Sequence, residues 1–193
     1  MKKLMVFIIA LISVFSAYAQ NSSGHMTFKG IPIDGSLADF TVKMKQKGFS
    51  YVATRDGAAM FSGEFASYKG CKIDAESLQK TGVVSMVTVA FPTCATWSQL
   101  YDNYKELKGM LTKKYGTPAQ CKENFQGLNP TDDFLKFQRV KLDNCKYISR
   151  WETAKGSVEL KIDQAGVSSC FVSLSYWDKI NAEKVTNSAI DDL

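Results

Sequence analysis

The stretch from residue 97 to residue 115 constrains the fold most, because its apolar residues recur at the period of an α-helix. Each member of the stripe lies three or four positions from another member: Trp97, Leu100, Tyr101, Tyr104, Leu107, Leu111 and Tyr115. Thr96 is a suitable N-cap for this helix, and Gly116 and Pro118 are suited to ending it. A helix with one apolar face must pack that face against another layer, so we interpret the stripe as core.

A shorter helix is predicted near the start of the chain, and a hairpin follows it. Apolar and polar residues recur at helical spacing from Leu37 to Lys47, and Gly48 terminates the pattern. Asp56-Gly57 between two alternating runs favours a two-residue β-turn. That turn sets Val52 opposite Phe61 and Thr54 opposite Ala59 in the predicted hairpin.

The remaining alternation predicts a sheet. Strands are expected over 51–55, 58–65, 83–91, 147–153, 157–163 and 168–177. The fold class predicted is α+β: tandem helix–β–β–β repeats, with the helices packed on one face of an antiparallel sheet. The domain is expected to span 28–178, as repeats 28–92 and 96–178 with an irregular insertion at 117–146, followed by a polar tail at 179–193.

The amino terminus has the three parts of a secretory signal peptide. Lys2 and Lys3 precede an apolar run, and Ala17 and Ala19 provide the small residues that signal peptidase requires. Residues 1–19 are therefore expected to be cleaved, and residues 20–27 to form a disordered lead. The apolar run is shorter than the roughly 20 residues that span a bilayer. We expect a periplasmic or secreted protein without membrane insertion after cleavage.

Five cysteines follow the predicted cleavage site. In an oxidising compartment cysteines tend to pair, although five can form two bridges in many ways. Their positions favour Cys121–Cys145, which would close the insertion at its base, and more weakly Cys71–Cys94. Cys170 falls on the apolar side of the last strand and is expected to remain a buried free thiol.

The motifs of the second half resemble those of known secreted proteins. They are the helix Tyr101-x-x-Tyr104-x-x-Leu107-x-x-x-Leu111-x-x-Lys114-Tyr115-Gly116-x-Pro118, then Trp151, the run 156–162 and the run 172–178. This pattern is similar to small secreted proteins of Bacteroidetes-type bacteria. The arrangement is similar to that of β-lactamase inhibitor proteins, which are tandem helix–sheet repeats. The resemblance implies binding of partners through a sheet face, and it implies no functional residue.

Catalytic motifs give little support to an enzyme. His25 is the only histidine and lies in the polar lead, where it is poorly placed for nucleophilic catalysis. The cysteines are dispersed without a Cys-x-x-Cys pair, and no glycine-rich phosphate loop is present. No metal site and no cofactor are therefore predicted. Carboxylates contributed from distant parts of the chain leave a small periplasmic hydrolase open as an alternative.

Binding to a protein or a glycan is the function that the sequence favours. The formal charge of +5 is spread without a basic block, so no nucleic-acid partner is predicted. Aromatic residues in or near the second sheet and the insertion are the candidate ligand-binding residues: Phe134, Phe137, Tyr147, Trp151 and Trp177. The alternatives are that these side chains complete the core, or that the protein is a structural component of the envelope.

Overall fold

An eight-stranded antiparallel sheet dominates the computed structural model, which describes residues 24–127 and 129–184. The strands are β1 (Thr27–Phe28), β2 (Ile31–Pro32), β3 (Ser50–Arg55), β4 (Ala58–Phe65), β5 (Tyr68–Ser77), β6 (Val84–Ala90), β7 (Gln120–Phe125), β8 (Cys145–Thr153), β9 (Gly156–Ala165) and β10 (Ser169–Asp178). The large sheet has the order β3-β4-β5-β6-β10-β9-β8-β7, and β1 pairs with β2 separately. The last strand therefore lies in the middle of the sheet.

The helices are α1 (Leu37–Gln46), α2 (Trp97–Tyr115) and α3 (Asp133–Lys141), and residues 179–184 are also helical. The predicted starts of the first two are confirmed by their caps. Ser36 Oγ accepts a hydrogen bond from Asp39 N at 3.1 Å, and Thr96 Oγ1 accepts one from Gln99 N at 3.2 Å. The α+β class with a large antiparallel sheet is thus confirmed.

One face of the sheet is covered by helices and carries the core. Its buried side chains in four central strands are Ile73, Ala75, Val87, Val89, Val158, Leu160, Leu174 and Tyr176. The outer strand β8 joins this layer, because Trp151 Nε1 donates to the Gly116 carbonyl at 2.9 Å and Ser149 Oγ lies 2.8 Å from Tyr104 Oη. We call this side the covered face.

A buried carboxylate ties the two ends of the described chain together. Asp178, at the end of β10, is fully buried. Its Oδ1 lies 3.0 Å from His25 Nδ1 and accepts a hydrogen bond from Asn181 N at 2.8 Å, while Oδ2 accepts from Met26 N at 2.7 Å. Residues 24–27, which the sequence places in the polar lead, are held by these contacts. The signal peptide predicted over residues 1–19 and the rest of the lead lie outside the described residues.

Each half of the chain contributes one more strand to the large sheet than predicted. In the first half β5 follows β4 directly, and in the second half β7 opens the segment interpreted as an irregular insertion. That segment also contains α3, which Asp132 caps by accepting from Leu135 N at 2.8 Å. β7 is exposed up to its last residue, so hydrophobic periodicity carries little signal there. In β5, by contrast, Cys71, Ile73 and Ala75 alternate with polar residues, and this strand could have been predicted.

The predicted hairpin is confirmed with one difference in register. Thr54 lies opposite Ala59 as expected, but Tyr51 rather than Val52 lies opposite Phe61. A bulge between Tyr51 and Ala53 adds one residue to β3, which shifts the pairing beyond it.

The predicted disulfides are wrong, because all five cysteines are free thiols in the structure. Cys121 pairs in register with Ser149, whereas Cys145 pairs with Phe125 at the opposite end of the β7–β8 ladder. Four residue positions separate the two along the ladder, roughly 13 Å, which is too far for a bridge.

Neither of the other expected partners is bridged. The Cys71 thiol donates to the Tyr68 carbonyl at 3.3 Å, and Asn103 Nδ2 donates to Cys94 Sγ at the same distance. Cys170 is buried with a free thiol, as predicted, and lies opposite Cys94 in an isolated β-bridge.

Candidate binding face

The second face of the sheet is not covered by α1, α2 or α3, and the helical turn at residues 179–184 reaches it only beside Trp177. We call it the open face. Its side chains alternate in sequence with those of the covered face, so Met60, Asp74, Met86 and Trp177 project from it. With eight strands about 4.8 Å apart, the sheet is roughly 34 Å wide. This width is sufficient for a protein interface of standard size, about 800 Å² per partner.

A trough runs along β10 in the middle of the open face. Phe171, Ser173, Ser175 and Trp177 project from this strand at every second position, which spans roughly 20 Å. Although none of the described helices lies over them, Ser173 and Ser175 are only 2% and 8% exposed, because longer side chains on the neighbouring strands surround them. Ser175 Oγ lies 3.0 Å from Thr88 Oγ1 on β6. The floor of the trough is therefore made of small hydroxyl groups, with an aromatic ring at each end.

Carboxylates without a cationic partner flank one side of the trough. Asp74 and Glu76 project from β5, and neither side chain forms a hydrogen bond or ion pair with the described residues. Burial raises the pKa of Asp74, an effect that the charge of Lys72 partly offsets. Burial also raises the pKa of Glu76, and the neighbouring Asp74 charge raises it further. Burial therefore disfavours the anionic form of both carboxylates.

On the other side of the trough most charges are paired, although Glu159, opposite Ser175 on β9, forms no hydrogen bond or ion pair with the described residues. Arg150 Nε lies 2.7 Å from Glu152 Oε1, and Lys161 Nζ lies 2.9 Å from Asp163 Oδ2. Arg150 also donates to Ser157 Oγ at 3.0 Å. Its guanidinium carbon is 5.7 Å from the centroid of the Trp177 ring, within the range of a cation–π contact.

Two hollows adjoin Trp177, one on either side of its ring. The neutral hollow, of about 640 Å³, contains Arg150 and Glu152, and helix residues Lys179 and Glu183 also line it. The acidic hollow, of about 530 Å³, is lined by Asp56, Glu76, Met86 and Trp177 among others. A third hollow of about 450 Å³ lies beside Phe171 at the far end of the trough.

The structure does not gather the five predicted aromatic residues into one site. Trp177 is half-buried on the open face, whereas Trp151 and Tyr147 lie on the covered side of β8. Trp151 is 1% exposed, and Tyr147 contacts the ring of Trp97 at a centroid distance of 5.1 Å. Phe134 and Phe137 both belong to α3. Phe137 is on its buried side, whereas Phe134 is 68% exposed.

Most residues of the open face, including Met60, Asp74, Glu76 and Met86, were not predicted as site residues from the sequence. One signal was available: Ser173 and Ser175 occupy the polar positions of a strongly alternating strand. A solvent-facing strand surface often carries longer polar side chains. Two serines at successive positions of the same face therefore indicate a recessed surface.

His25 is held more firmly than its place near the terminus suggests. Its Nε2 lies 3.4 Å from Asp34 Oδ2, so that both ring nitrogens face carboxylates. Within residues 24–127 and 129–184, no cluster of three or more His, Cys, Asp or Glu side chains is arranged to hold a metal ion. In the same ranges, no helix combines the length and hydropathy needed to cross a membrane.

Comparisons with known proteins give no match for this chain among family models, curated proteins or solved structures.

Proposed function

We propose that this protein is an exported, non-catalytic binding module that holds a partner protein on the open face of its sheet. The observation that carries the proposal is the trough along β10, with its hydroxyl floor and an aromatic ring at each end. An extended segment of a partner fits such a trough, since alternate side chains would reach the hollows beside Phe171 and Trp177.

Charge favours a protein over a glycan as the partner. Asp74 and Glu76 are partly shielded from water and form no ion pair with the described residues, and a partner's lysine or arginine would supply one. A neutral glycan brings no such charge. Met60 and Met86 on the same side provide flexible apolar surface that adapts to a partner's side chains.

We further propose that the two halves of the domain, 28–92 and 96–178, are structural repeats. Each half has a helix followed by four strands of the large sheet, and their strand orders mirror one another about the β6–β10 pair. The resemblance to tandem-repeat β-lactamase inhibitor proteins supports the same use of a sheet face. Export is proposed from residues 1–19 alone.

Capture of partners from native envelope and secreted fractions tests the binding proposal when two matched variants are compared. The bait is the chain from residue 20 to residue 193. Ala90→Arg places a long cation on the open face beside Ser173, and Met110→Arg places the same side chain on the exposed surface of α2. We expect a partner that the wild type and Met110→Arg retain and that Ala90→Arg loses at least about tenfold.

Two results would contradict this proposal. One is a partner retained equally by all three baits. The other is binding that survives proteolysis of the captured material and disappears on periodate oxidation, which would identify a glycan.

A carboxylate-dependent hydrolase is a second candidate, favoured by one observation. Asp74 and Glu76 project from the same face of one strand and both have a raised pKa, as a general acid requires. Release of reducing sugars from envelope polysaccharide by the wild type, abolished in Glu76→Gln, would support the hydrolase. No release by the wild type would dismiss it.

A further inference from the structure

The two hollows beside Trp177 have similar volumes but opposite charge states. Trp177 and Ala182 line both, so the indole ring stands between them. In the neutral hollow each cation of the lining has its own anion: Arg150 pairs with Glu152, and Lys179 Nζ lies 3.7 Å from Glu183 Oε1.

The acidic hollow has anions without cations. Asp56 and Glu76 are in its lining, and its described lining residues include no lysine or arginine. Glu76 sits half-buried on β5 with no hydrogen bond or ion pair from the described residues. Burying a carboxylate without a partner is unfavourable, so the hollow is electrostatically incomplete.

The remaining surfaces of the acidic hollow suit a flat cation. Trp177 offers an indole ring, whose face attracts a guanidinium or ammonium group. Met86 provides an apolar, polarisable surface for the methylene part of a long side chain. The chain already shows this contact within the neutral hollow, where the Arg150 guanidinium lies 5.7 Å from the Trp177 ring.

We propose that the acidic hollow binds an arginine side chain of the partner protein, with its guanidinium on the Trp177 ring and paired with the Glu76 carboxylate. This inference rests on the proposed function, because it names the group by which the partner is recognised. Arginine suits the site better than lysine, since its planar group can stack on the ring and bond to a carboxylate together.

The indole N–H signals in a ¹⁵N NMR spectrum of the protein provide the test. The probe is N-acetyl-arginine amide, titrated to about 50 mM because a single side chain is expected to bind only at millimolar concentrations. N-acetyl-citrulline amide is the neutral isostere, and Trp177→Phe assigns the Trp177 signal. We expect a saturable shift of the Trp177 signal with the arginine compound and at least about fivefold weaker binding of citrulline.

Two variants locate the charge that matters. Glu76→Gln is expected to weaken arginine binding about fivefold or more, whereas Glu152→Gln, across the ring, leaves it within about twofold. Equal shifts with citrulline, no shift of the Trp177 signal, or unchanged binding in Glu76→Gln would each overturn the inference.

The failures of the two proposals are distinguishable. If arginine does not bind but Ala90→Arg still loses the partner, the open face is a binding surface and the acidic hollow is not its arginine site. If arginine binds while Ala90→Arg retains every partner, the hollow recognises a cation but the partner docks elsewhere.

Discussion

The two faces of the large sheet share the same strands but have opposite chemistry. On the covered face the central side chains are aliphatic or aromatic and almost entirely buried, as Val89 and Leu174 illustrate. On the open face the same strands present Thr88 and Ser175, joined to each other across the strands. Neighbouring positions in one strand therefore belong to two different environments.

The difference indicates which face stabilises the fold and which is available for function. Apolar burial supplies the main driving force for folding, and nearly all of it lies on the covered face. The recessed serines and the uncompensated carboxylates of the open face contribute little to folding stability. Such features are expected where a surface is shaped for a partner.

The largest expected effect comes from adjacent residues of β4 that project to opposite faces. Phe61→Ala on the covered face should lower the free energy of unfolding by about 3–5 kcal/mol, because it leaves a cavity in the core. Met60→Ala on the open face should cost less than about 1 kcal/mol. Urea denaturation followed by circular dichroism measures both. Equal losses would remove the distinction between the faces.

A smaller loss of stability is expected when Asp178, the buried carboxylate at the end of β10, is replaced. Asp178→Asn should lower the free energy of unfolding by about 1–3 kcal/mol, because an amide cannot accept all the hydrogen bonds from His25, Met26 and Asn181. Glu159→Gln on the open face is the control, because this carboxylate forms no hydrogen bond or ion pair with the described residues, and it should change stability by less than about 0.5 kcal/mol. A loss in the control as large as in Asp178→Asn would mean that the open face also holds the fold together.

Thiol labelling compares the accessibility of cysteines at the edge of the sheet with that of cysteines in the core. Cys121 on the edge strand β7 is exposed, whereas Cys71, Cys145 and Cys170 are buried. Burial also raises the pKa of Cys145 to about 12, which disfavours its reactive thiolate. In the native protein Cys121 should react with iodoacetamide at least about tenfold faster than these three, as peptide mapping would show. If the unreduced protein had a lower mass than the reduced protein, through loss of thiol hydrogens, a disulfide would be present that the structure lacks.

The smallest effect is a pH dependence on the open face. Because the pKa of Glu76 is raised in the folded state, the folded protein holds this proton more tightly than the unfolded chain. Its stabilising contribution is full below about pH 4 and is lost as pH rises through the raised value. Relative to wild type, Glu76→Gln should therefore gain stability between pH 4 and pH 7, by less than about 1 kcal/mol after solvent screening. If the unfolding free energies of wild type and Glu76→Gln changed with pH in parallel, Glu76 would be as well solvated in the folded protein as in the unfolded chain.

Strongly patterned elements could be predicted from the sequence, and weakly patterned ones could not. The helix α2 has a long apolar stripe with a cap at each end, and its predicted limits agree with the structure. In contrast, β7 is almost fully exposed and is held by backbone hydrogen bonds to β8, which leave no trace in side-chain periodicity. The short α3 buries only Phe137 and Val140, too few to establish a helical period.

The candidate site was harder to predict than the fold, because aromatic character does not reveal which face a residue occupies. Trp151 and Trp177 both lie in strands, yet one donates its indole hydrogen to the end of α2 and the other projects from the open face. The partners of Trp177 come from strands distant in sequence, such as Glu76 and Arg150. Only the strand order, which places β10 between β6 and β9, brings these residues together.

That central position of β10 also determines when the molecule can be completed during synthesis. Until the last strand emerges, β6 and β9 each end in an unpaired edge, and unpaired edges attract other chains. A polypeptide cut short before residue 169 would keep both edges permanently and would be prone to aggregate. The large sheet can therefore close only after residues 169–178 have been made, and its open edges favour aggregation until then.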